Sequence, residues 1–442
     1  MEIIAKMATV VQNLLGSWAE ELAQERGVIQ RRRKFTAATL ARTFVLGFLA
    51  KPDASDEELA QCAGLCGVEV TPQAVEQRFT PRLVEFLEGL FRRAVGCVIG
   101  ANTALAPLLE RFAAVFLLDS STISLPPELA QRFPGCGGSH GAGQAAMKLQ
   151  VLWDLCRGAF QTIRVEAGRD CDYKTPVQSF PLPPGSLRIS DLGYFDTAVF
   201  EGMGGQGAFW LSRLQFGTSV FSTLASPVRL LSWLAAQACV VVDEPIRLGA
   251  ERKLACRLVA WRVPEEVANR RRQKLIEAAR SKSGRTPSQE RLAWCDWMIL
   301  VTNVPPENLT PREMAVLYRA RWQIELLFKR WKSLGLVAEL TGSTVPRQMA
   351  RLWSRLIGVL LQHWLVLTSV WGDLRHSLAK VSQAIRRHAL LLAAAVGNTA
   401  ELEAAIENLC RAVRVTARQN KRRRPSTFEL LNNPSLLEYG LT

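Results

Sequence analysis

Three carboxylates stand out in the sequence because of the residues that precede them. Asp119 follows the apolar run Ala113–Leu118, Asp191 follows a short strand-like run in SLRISD, and Glu325 lies in YRARWQIELLFKRWK, Tyr318–Lys332. Carboxylates at strand ends are natural ligands for hard cations, because Mg²⁺ takes oxygen ligands and keeps part of its water shell. Two ions held by shared carboxylates can activate a water and stabilise the leaving oxygen of a phosphodiester. A single aspartate after a strand is more often a turn residue, so only the three together indicate this chemistry.

The helix predicted for Tyr318–Lys332 would place one carboxylate among cations. At about 100° per residue, an arc of roughly 80° holds five side chains: Tyr318, Arg321, Glu325, Lys329 and Lys332. The opposite side carries an apolar stripe that we expect to face the core: Ile324, Leu327, Trp331 and Leu334. On geometry alone, a salt-bridged surface helix is the simpler interpretation. Cations around Glu325 would also keep it ionised, which suits a metal ligand.

The composition favours a polyanionic partner. The chain has 442 residues, of which 48% are hydrophobic, so we expect a large interior and two or three domains. Lys and Arg number 55 against 40 Asp and Glu, a net charge of +15. This excess favours nucleic acid over a membrane surface. Ribosomal, lipid-binding and other basic proteins have a similar balance, so charge alone does not identify the partner.

The cysteines and apolar runs predict a cytoplasmic protein without a membrane span. Of the ten cysteines only Cys62 and Cys66 are close, and with four histidines no zinc-finger spacing follows them. Free thiols fit a reducing compartment, and the N-terminus lacks the pattern of a secretion signal. The run Leu356–Gly372 is shorter than the ~20 residues of a membrane helix and carries Gln362 and His363. We therefore predict a buried helix there.

Residues 1–105 are predicted to be helical, and they carry a basic cluster, QRRRKF, at Gln30–Phe35. Ser55 with Glu58 has the spacing of a capping box, and Thr71-Pro72 opens a second short helix that ends near Phe79. Residues 55–80 therefore resemble a helix-turn-helix. Any small helical bundle can show the same pattern, so DNA contact and simple packing are equally good interpretations.

From residue 106 the pattern changes to strands with helices against them, which predicts an α/β domain. The strand-like runs are Ala113–Leu118, Met147–Leu155, Ala159–Gly168, Ala208–Gly217 and Trp294–Pro305. Residues 218–292 add two alternating runs around Gly249 and a basic helical segment, which predicts an insertion. The chain is again helical from 346 to 442, where the cationic run Lys421–Arg424 is a candidate phosphate contact.

These residues carry a specific resemblance. The spacing Y-x(2)-R-x(3)-E-x(6)-K is met by Tyr318, Arg321, Glu325 and Lys332. It resembles the YREK signature of the insertion-sequence DDE transposases of the group called IS-four. The contexts LLDSSTI around Asp119 and SDLGYF around Asp191 are similar to that group. The resemblance covers roughly residues 55–345.

The resemblance implies an α/β fold with a ribonuclease H-like catalytic core, interrupted by a mostly β insertion between the second aspartate and the glutamate. The spacings 191 − 119 = 72 and 325 − 191 = 134 leave room for that insertion. The predicted domains are a helical DNA-binding domain at 1–105, the first part of the core at 106–217, the insertion at 218–292, the second part of the core at 293–345, and a helical C-terminal domain at 346–442.

The resemblance also implies roles for single residues. Asp119, Asp191 and Glu325 would bind two Mg²⁺ ions, for which Mn²⁺ can substitute. Phosphates near the cleaved end would be held by residues of the signature: Tyr318, Arg321 and Lys332. Lys329 shares their face without belonging to the signature, so we expect it to contact DNA in a role that stays open.

A tryptophan is expected to serve base flipping. In relatives that form a DNA hairpin, a tryptophan on the strand before the YREK helix stacks on a flipped-out base, and Trp297 has the matching place. Trp294 is the alternative, and a core tryptophan is the simplest interpretation. SDLGYF departs from the commoner pattern, since Leu192 stands where an arginine is usual. Any DNA contact from an arginine at that position is therefore absent.

The resemblance implies a cut-and-paste transposase that acts on double-stranded DNA, both the inverted repeats at the transposon ends and the target. It implies a nick at each end, a hairpin formed by the freed 3′-hydroxyl, and strand transfer by a homodimer in a synaptic complex. Such a protein would be bacterial and associated with the nucleoid when it is bound to DNA. Two alternatives are a catalytically silent DNA-binding relative that acts as a regulator, against which the intact acidic triad argues, and a metal-dependent nuclease without strand transfer.

Overall fold

The computed structural model describes residues 2–28, 34–101, 106–136, 145–222, 226–237, 239–284, 286–333, 340, 342–373, 375–420 and 424–437, with the backbone alone at 2, 282 and 283. Outside these residues lie most of the basic cluster at 30–33, Leu334 of the predicted apolar stripe, and the cationic run at 421–423.

Helices dominate both ends of the chain and alternate with strands between them. The helices are α1 (Glu2–Leu14), α2 (Ser17–Arg26), α3 (Ala37–Ala50), α4 (Asp56–Leu65), α5 (Pro72–Glu76), α6 (Pro81–Val95), α7 (Thr197–Gly205), α8 (Leu230–Ala236), α9 (Glu265–Ser283), α10 (Gln289–Ala293), α11 (Pro311–Ala320), α12 (Trp322–Ser333), α13 (Val345–Val370), α14 (Leu378–Ala395), α15 (Thr399–Thr416) and α16 (Thr427–Asn432). The strands are β1 (Val115–Leu125), β2 (Ala145–Asp154), β3 (Phe160–Ala167), β4 (Leu187–Ser190), β5 (Phe209–Arg213), β6 (Val220–Phe221), β7 (Val241–Leu248), β8 (Leu254–Arg262) and β9 (Trp297–Thr302).

Two short helices of the N-terminal part, α4 and α5, begin where the sequence supplies a capping side chain. Ser55 Oγ accepts from the Glu58 N–H at 3.2 Å, and Glu58 Oε2 accepts from the Ser55 N–H at 2.8 Å, which confirms the predicted capping box. Thr71 caps α5, which ends at Glu76 rather than near Phe79. Both helices of the predicted helix-turn-helix are therefore present, while its contact with DNA stays a prediction.

The strands form one nine-stranded sheet in the order β3-β2-β1-β4-β5-β9-β8-β7-β6. β1 pairs parallel with β4 and β4 parallel with β5, whereas every other neighbouring pair is antiparallel. Strands β6 to β8, from the segment 218–292, extend this sheet beyond β9. The prediction of an α/β architecture is confirmed.

Asp119 lies inside β1, and the prediction that it ends a strand is wrong. Residues 120–125 continue the strand because they pair antiparallel with β2. The parallel pairing with β4 stops earlier, at Leu118 opposite Ser190. Asp119 and Asp191 are therefore the first residues beyond the last β1–β4 pair, and the two aspartates lie at the same level of the sheet.

Helices cover both faces of the sheet because side chains along each strand alternate between two cores. In β9, Met298 and Leu300 join the core that includes α11, α12 and α13. Trp297, Ile299 and Val301 point the other way and join the core that includes α7 and α8. The two sides of β9 therefore belong to different parts of the interior.

Helices from the two ends of the chain pack together on the first of these cores. Arg347 at the start of α13 forms an ion pair with Asp56 at the start of α4, at 2.5 Å. The rings of Phe91 in α6 and Trp353 in α13 lie 5.4 Å apart between centroids. One continuous hydrophobic cluster contains residues of α1, α3, α6, α13, α14 and α15.

The predicted helix Tyr318–Lys332 is interrupted, so the prediction of one continuous helix is wrong. α11 ends at Ala320 and α12 begins at Trp322, and Arg321 between them keeps helical dihedral angles, φ −50° and ψ −34°. The Arg321 amide donates to the Tyr318 carbonyl and the Ile324 amide donates to the Arg321 carbonyl, both at 3.2 Å. These bonds span three residues instead of four, which is the tighter turn of a 3₁₀ helix.

The apolar run Leu356–Gly372 lies mostly in α13, where every residue from Gln348 to Val370 is buried. The prediction of a buried helix is confirmed. Within the described ranges, none of the helices combines the length and the apolar character that crossing a membrane would require.

Candidate active site

The three carboxylates of the sequence analysis lie around one cavity of about 330 Å³. Its lining comes from β1, the turn after β4, and the end of α11 with α12: Asp119, Ser120, Ser121, Asp191, Arg321, Glu325, Phe328, Lys329 and Lys332. β1 presents Asp119, a 3₁₀ turn at Leu192–Tyr194 follows Asp191, and the first turn of α12 supplies Glu325. The structure therefore brings together six of the eight predicted site residues.

Arg321 connects two of the carboxylates. Its Nη1 donates to Asp119 Oδ2 at 3.2 Å, and its Nη2 donates to Glu325 Oε1 at 2.6 Å. The second contact is the i,i+4 salt bridge that helix geometry predicted, and it belongs to the cavity rather than to an isolated surface helix. Burial acts to lower the pKa of Arg321, but the Tyr318 hydroxyl and the three carboxylates outweigh burial, so this pKa is raised.

The pKa of the Asp119 carboxyl is raised mainly by burial and further by the neighbouring carboxylates. Burial raises the pKa of Asp119 to about 6, against the lowering effects of the Ser120 amide and the Arg321 guanidinium. That amide donates to Asp119 Oδ1 at 2.8 Å. Asp191 and Glu325 add to the rise, because like charges disfavour one another's ionised form. Carboxyl groups shifted in this way by burial and converging charges are common at functional sites.

The donor set has the chemistry of a Mg²⁺ or Mn²⁺ site, since all three side chains offer carboxylate oxygens. As they are placed, the side chains do not form a closed ligand set. In the part of the chain that the structure describes, no group of three or more His, Cys, Asp or Glu side chains could hold a metal ion. The Arg321 guanidinium reaches into the acidic group, so an ion bound there has to share or replace its contacts with Asp119 and Glu325.

Two lysines border the same cavity. Lys332 Nζ donates to the Thr122 carbonyl of β1 at 2.8 Å, and burial lowers the pKa of this ammonium group. Lys329 is exposed, with its Nζ 4.5 Å from the centroid of the Trp322 ring. Both ammonium groups can attract a phosphate as point charges, whereas the planar Arg321 can fork onto one.

Two predicted DNA-contact residues lie in the interior instead. Tyr318 is 9% exposed and Trp297 is 7% exposed. The Tyr318 hydroxyl is buried without a hydrogen-bond partner among the described residues, and burial raises its pKa to about 12. Trp297 faces the second core, with the Arg262 guanidinium 4.8 Å from its ring, on the side of β9 opposite Met298. Either residue needs local movement before it can contact DNA.

Of the other tryptophans near this region, one is half-buried and one is exposed. Trp294, the alternative for base stacking, packs edge-to-face on Phe216 with 5.3 Å between ring centroids. Trp322 is 45% exposed, and the sequence analysis did not identify it as an aromatic surface near the site. Helical periodicity could have identified it, because Trp322 lies only about 20° from Lys329 around the helix.

A polar network centred on Asp172, next to the cavity, was also not predicted from the sequence. Asp172 Oδ1 accepts hydrogen bonds from Ser120 Oγ at 3.0 Å, Lys148 Nζ at 3.0 Å and Gln150 Nε2 at 2.9 Å. Tyr194 Oη donates to Gln150 Oε1 at 2.5 Å. The network joins the residue after Asp119 to the tyrosine of SDLGYF. Asp172 comes from a turn between strands, where no local pattern distinguishes it.

Three carboxylates beside arginine and lysine side chains, on an α/β sheet in a basic chain, are typical of proteins that act on nucleic-acid phosphodiesters. The family described as "Transposase DDE domain" matches residues 110–361, more than half of the chain, and the chain belongs to this family. It is therefore a DNA-cleaving and strand-transferring enzyme. The family implies the use of a divalent metal ion.

Relatives along most of the chain are transposases of insertion sequences. The transposase for insertion sequence element IS231B of Bacillus thuringiensis subsp. berliner is 29% identical over 376 residues, covering 79% of this chain and 77% of the relative. That of IS231F of B. thuringiensis subsp. israelensis is 28% identical over 444 residues, covering 93% and 91%. That of IS1151 of Clostridium perfringens is 27% identical over 375 residues, covering 79% and 78%. The predicted resemblance to insertion-sequence DDE transposases of the IS-four group is confirmed.

Proposed function

We propose that this transposase moves an insertion sequence by cut-and-paste, cleaving DNA at the ends of the element and joining the freed 3′-hydroxyl to target DNA. The observation that carries the proposal is the convergence of Asp119, Asp191 and Glu325 on a cavity that Arg321 and Lys332 also line. The cationic side chains can hold the phosphates that flank the scissile bond, while the three carboxylates lie together where that bond would be cleaved.

The strand order supports a ribonuclease H-like core. Five strands lie in the order β3-β2-β1-β4-β5, in which β2 runs opposite to the other four. The core is interrupted in sequence between β5 and β9, where residues 218–292 supply β6, β7 and β8. This arrangement brings the two aspartates and the glutamate to one cavity although 134 residues separate Asp191 from Glu325.

Each side chain of the site has a distinct task in this proposal. Asp119, Asp191 and Glu325 would hold two Mg²⁺ ions, or Mn²⁺, and the ions would supply a Lewis acid and an activated water. Arg321 turns its fork from the carboxylates to a DNA phosphate, and Lys332 adds a point charge on the same side. The Tyr318 hydroxyl, which has no acceptor among the described residues, can donate to a phosphate after a small movement.

A hairpin intermediate requires a flipped base and an aromatic surface for that base. Trp297 can serve only if it leaves the second core, where it is 7% exposed. Trp322, at 45% exposed and one residue after Arg321, offers an aromatic surface without repacking. In the proposed hairpin route Trp297 stacks on the flipped base, and this role requires a local rearrangement of β9.

The ends of the element are proposed to be cut within a synaptic complex. The net charge of +15 favours a protein that gathers several DNA segments, and a homodimer would hold two inverted repeats with a target duplex. The molar mass of the protein with end DNA tests this arrangement. A complex of a single protein chain with a single cut end would contradict it.

The central test uses the DNA that flanks the gene, searched for inverted repeats and supplied as the substrate with Mg²⁺. We expect Asp119→Ala to reduce cleavage by roughly a thousandfold or more and to leave end binding intact. Asp53→Ala, which removes an exposed carboxylate, is the matched control. Unchanged cleavage by Asp119→Ala would show that the cavity is not the active site.

Pre-cleaved ends with target DNA separate the proposed function from its alternatives. A transposase gives joined products, a nuclease without strand transfer gives none, and a silent regulator binds the ends but neither cleaves nor joins them.

A further inference from the structure

A second cavity adjoins the carboxylate cavity on the outer side of α12. It has a volume of about 490 Å³ and lies between α12, the segment that joins α13 to α14, and the start of α16. Lys329 lines both this cavity and the carboxylate cavity, so the two cavities meet at its side chain. We call the second cavity the α12 groove.

Arg330 brings an unbalanced positive charge into the α12 groove. Its side chain is half-buried, and burial lowers its pKa to about 10. Among the described residues its guanidinium takes part in no ion pair or hydrogen bond. The acid of the groove, Asp373, is already engaged, because its carboxylate accepts from Arg375 at 2.9 and 2.8 Å and lies 3.2 Å from His376 Nδ1. A buried charge without a partner is costly, so an anion at this place would be favoured.

Trp371, which also lines the groove, has an unpaired donor. Its Nε1 atom is buried and has no hydrogen-bond partner among the described residues. The ring is held by edge-to-face contacts with Trp153 and His363, at centroid distances of 6.0 and 6.4 Å. An indole N–H can only donate, and leaving it unpaired in the interior costs free energy. Arg330 and Trp371 both line the groove, and each can supply it with a donor, Trp371 after a small movement of its ring because Nε1 is buried.

The remaining charge of the groove favours an anion as well. Its cations are Arg319, Lys329 and Arg330, whereas the carboxylate of Asp373 is neutralised by its own neighbours. The groove's volume of about 490 Å³ is also larger than a single small ion requires. A phosphodiester chain has the required charge and repeats it along its length.

We propose that the α12 groove binds a backbone phosphate of the DNA strand that leaves the carboxylate cavity, with the Arg330 guanidinium and the Trp371 N–H as its donors. The proposal rests on the proposed action of that cavity on DNA. The strand is either the one that carries the reactive 3′ end or its complement, and both present the same phosphate chemistry. Neither donor belongs to the YREK signature, so the groove adds binding rather than catalysis.

The test measures binding without catalysis. The full chain carrying Asp119→Ala is titrated, in chelator, against a labelled blunt duplex, a duplex with a 3′ single-stranded tail, and one with a 5′ tail. We expect Arg330→Gln to weaken binding of at least one tailed duplex by about tenfold and the blunt duplex much less, because a charge-assisted hydrogen bond to phosphate is lost. The tail that is affected identifies the strand. Because metal-dependent cleavage is not involved, failure of this test leaves the proposed function standing.

Two further variants make the result specific. Trp371→Phe keeps the ring and removes the N–H, and we expect it to weaken the same tailed duplex by a few-fold. Arg411→Gln removes an exposed arginine of α15 and is the charge-matched control. Equal weakening by Arg411→Gln would reduce the effect to general electrostatics and overturn the proposal.

Thermal unfolding separates binding from structure. Since Arg330 has no partner among the described residues, Arg330→Gln should unfold at the wild-type temperature or above. Wild-type affinity of Arg330→Gln for all three duplexes overturns the proposal. A lowered unfolding temperature with unchanged affinity also overturns it, because Arg330 would then be a packing residue.

Discussion

Arg321 competes with any other cation for Asp119 and Glu325, because its positive charge lies beside both carboxylates. The guanidinium engages one oxygen of each carboxylate, at 3.2 and 2.6 Å. We expect Arg321→Gln to bind Mn²⁺ about tenfold more tightly, since the variant removes a competing charge from a buried acidic group. Cleavage of end DNA should fall by about a hundredfold, because the forked phosphate contact is lost. Paramagnetic resonance of free Mn²⁺ and a cleavage assay measure the two effects.

Arg411→Gln serves as the control for the change in net charge, and it should leave both quantities unchanged. Weaker Mn²⁺ binding by Arg321→Gln would contradict the expectation. It would mean that the guanidinium orients the carboxylates for the ion rather than competing with it.

For single residues, the sequence predicted which side chains line the site better than it predicted which side chains are buried. Asp119, Asp191 and Glu325 could be singled out because the residues around the two aspartates and the YREK spacing around the glutamate are local patterns, whereas helical spacing alone favoured a surface role for Glu325. The burial of Tyr318 could not, because it depends on packing against β8 and β9, which lie far away along the chain. Asp172 could not be predicted for the same reason: its partners Ser120, Lys148 and Gln150 come from other strands.

At the scale of elements, the position of α13 against the sheet depends on the turn between β2 and β3. Gly158 in that turn has φ +71°, and a Cβ there would lie 2.4 Å from Leu367 Cδ2 and 2.8 Å from Trp371. We expect Gly158→Ala to lower the free energy of unfolding by about 3 kcal/mol, from backbone strain and overpacking together. Denaturant unfolding measures it.

Gly217→Ala is the matched control, because Gly217 has φ +87° with nothing within 4 Å of an added Cβ. It should lose only the strain contribution, about 1 kcal/mol. Equal losses in the two variants would show that contact with α13 does not constrain this turn.

The turn between β2 and β3 also makes the free energy of unfolding depend on pH, because it contacts His363 of α13. His363 Nε2 donates to the Gly158 carbonyl at 2.6 Å, and burial lowers the pKa of His363 to about 4. The unfolded state, with an ordinary histidine pKa near 6.5, binds the proton more readily, so stability falls as the pH decreases from about 6.5 towards 4. This single group accounts for a loss of up to about 3 kcal/mol across that window.

His363→Gln keeps a donor and removes the titration, so its unfolding temperature should depend less on pH between about 4 and 6.5. His388→Gln, at a half-exposed histidine of α14, is the control and should follow the wild type. A His363→Gln profile parallel to the wild type would place the acid sensitivity elsewhere.

Most element boundaries follow from local sequence, but two departures have physical causes. β1 continues past Asp119 because β2 supplies a partner as far as Leu125, although the apolar run ends at Leu118. The helix breaks at Arg321, where amphipathic spacing is uninterrupted and only the tighter hydrogen bonds mark the change. The extension of β1 depends on pairing with another strand, and the tight turn at Arg321 leaves no mark in the amphipathic spacing, so neither departure follows from a one-dimensional pattern.

At the scale of the whole molecule, helices that lie hundreds of residues apart share one core. Arg355 of α13 donates to the Pro52 carbonyl at 2.8 Å, and Thr399 of α15 donates to Gln12 of α1 at 2.8 Å. Gly358 of α13 lies so close to Leu49 of α3 that an added Cβ would be 3.4 Å from its side chain. The sequence of either segment alone does not indicate this packing, because each segment predicts only an amphipathic or apolar helix.

The shared core predicts that the N-terminal helices do not fold alone. Residues 1–105 expressed without the rest of the chain should lack a cooperative thermal transition, because the faces that α3 and α6 bury against α13 would be open to water. Circular dichroism of this fragment, alone and mixed with a fragment of residues 345–442, measures the effect. We expect the mixture to gain helix and a transition, because the second fragment restores the missing core. A sharp transition of 1–105 by itself would contradict this, and would mean that the DNA-binding role predicted for residues 55–80 belongs to an independent domain.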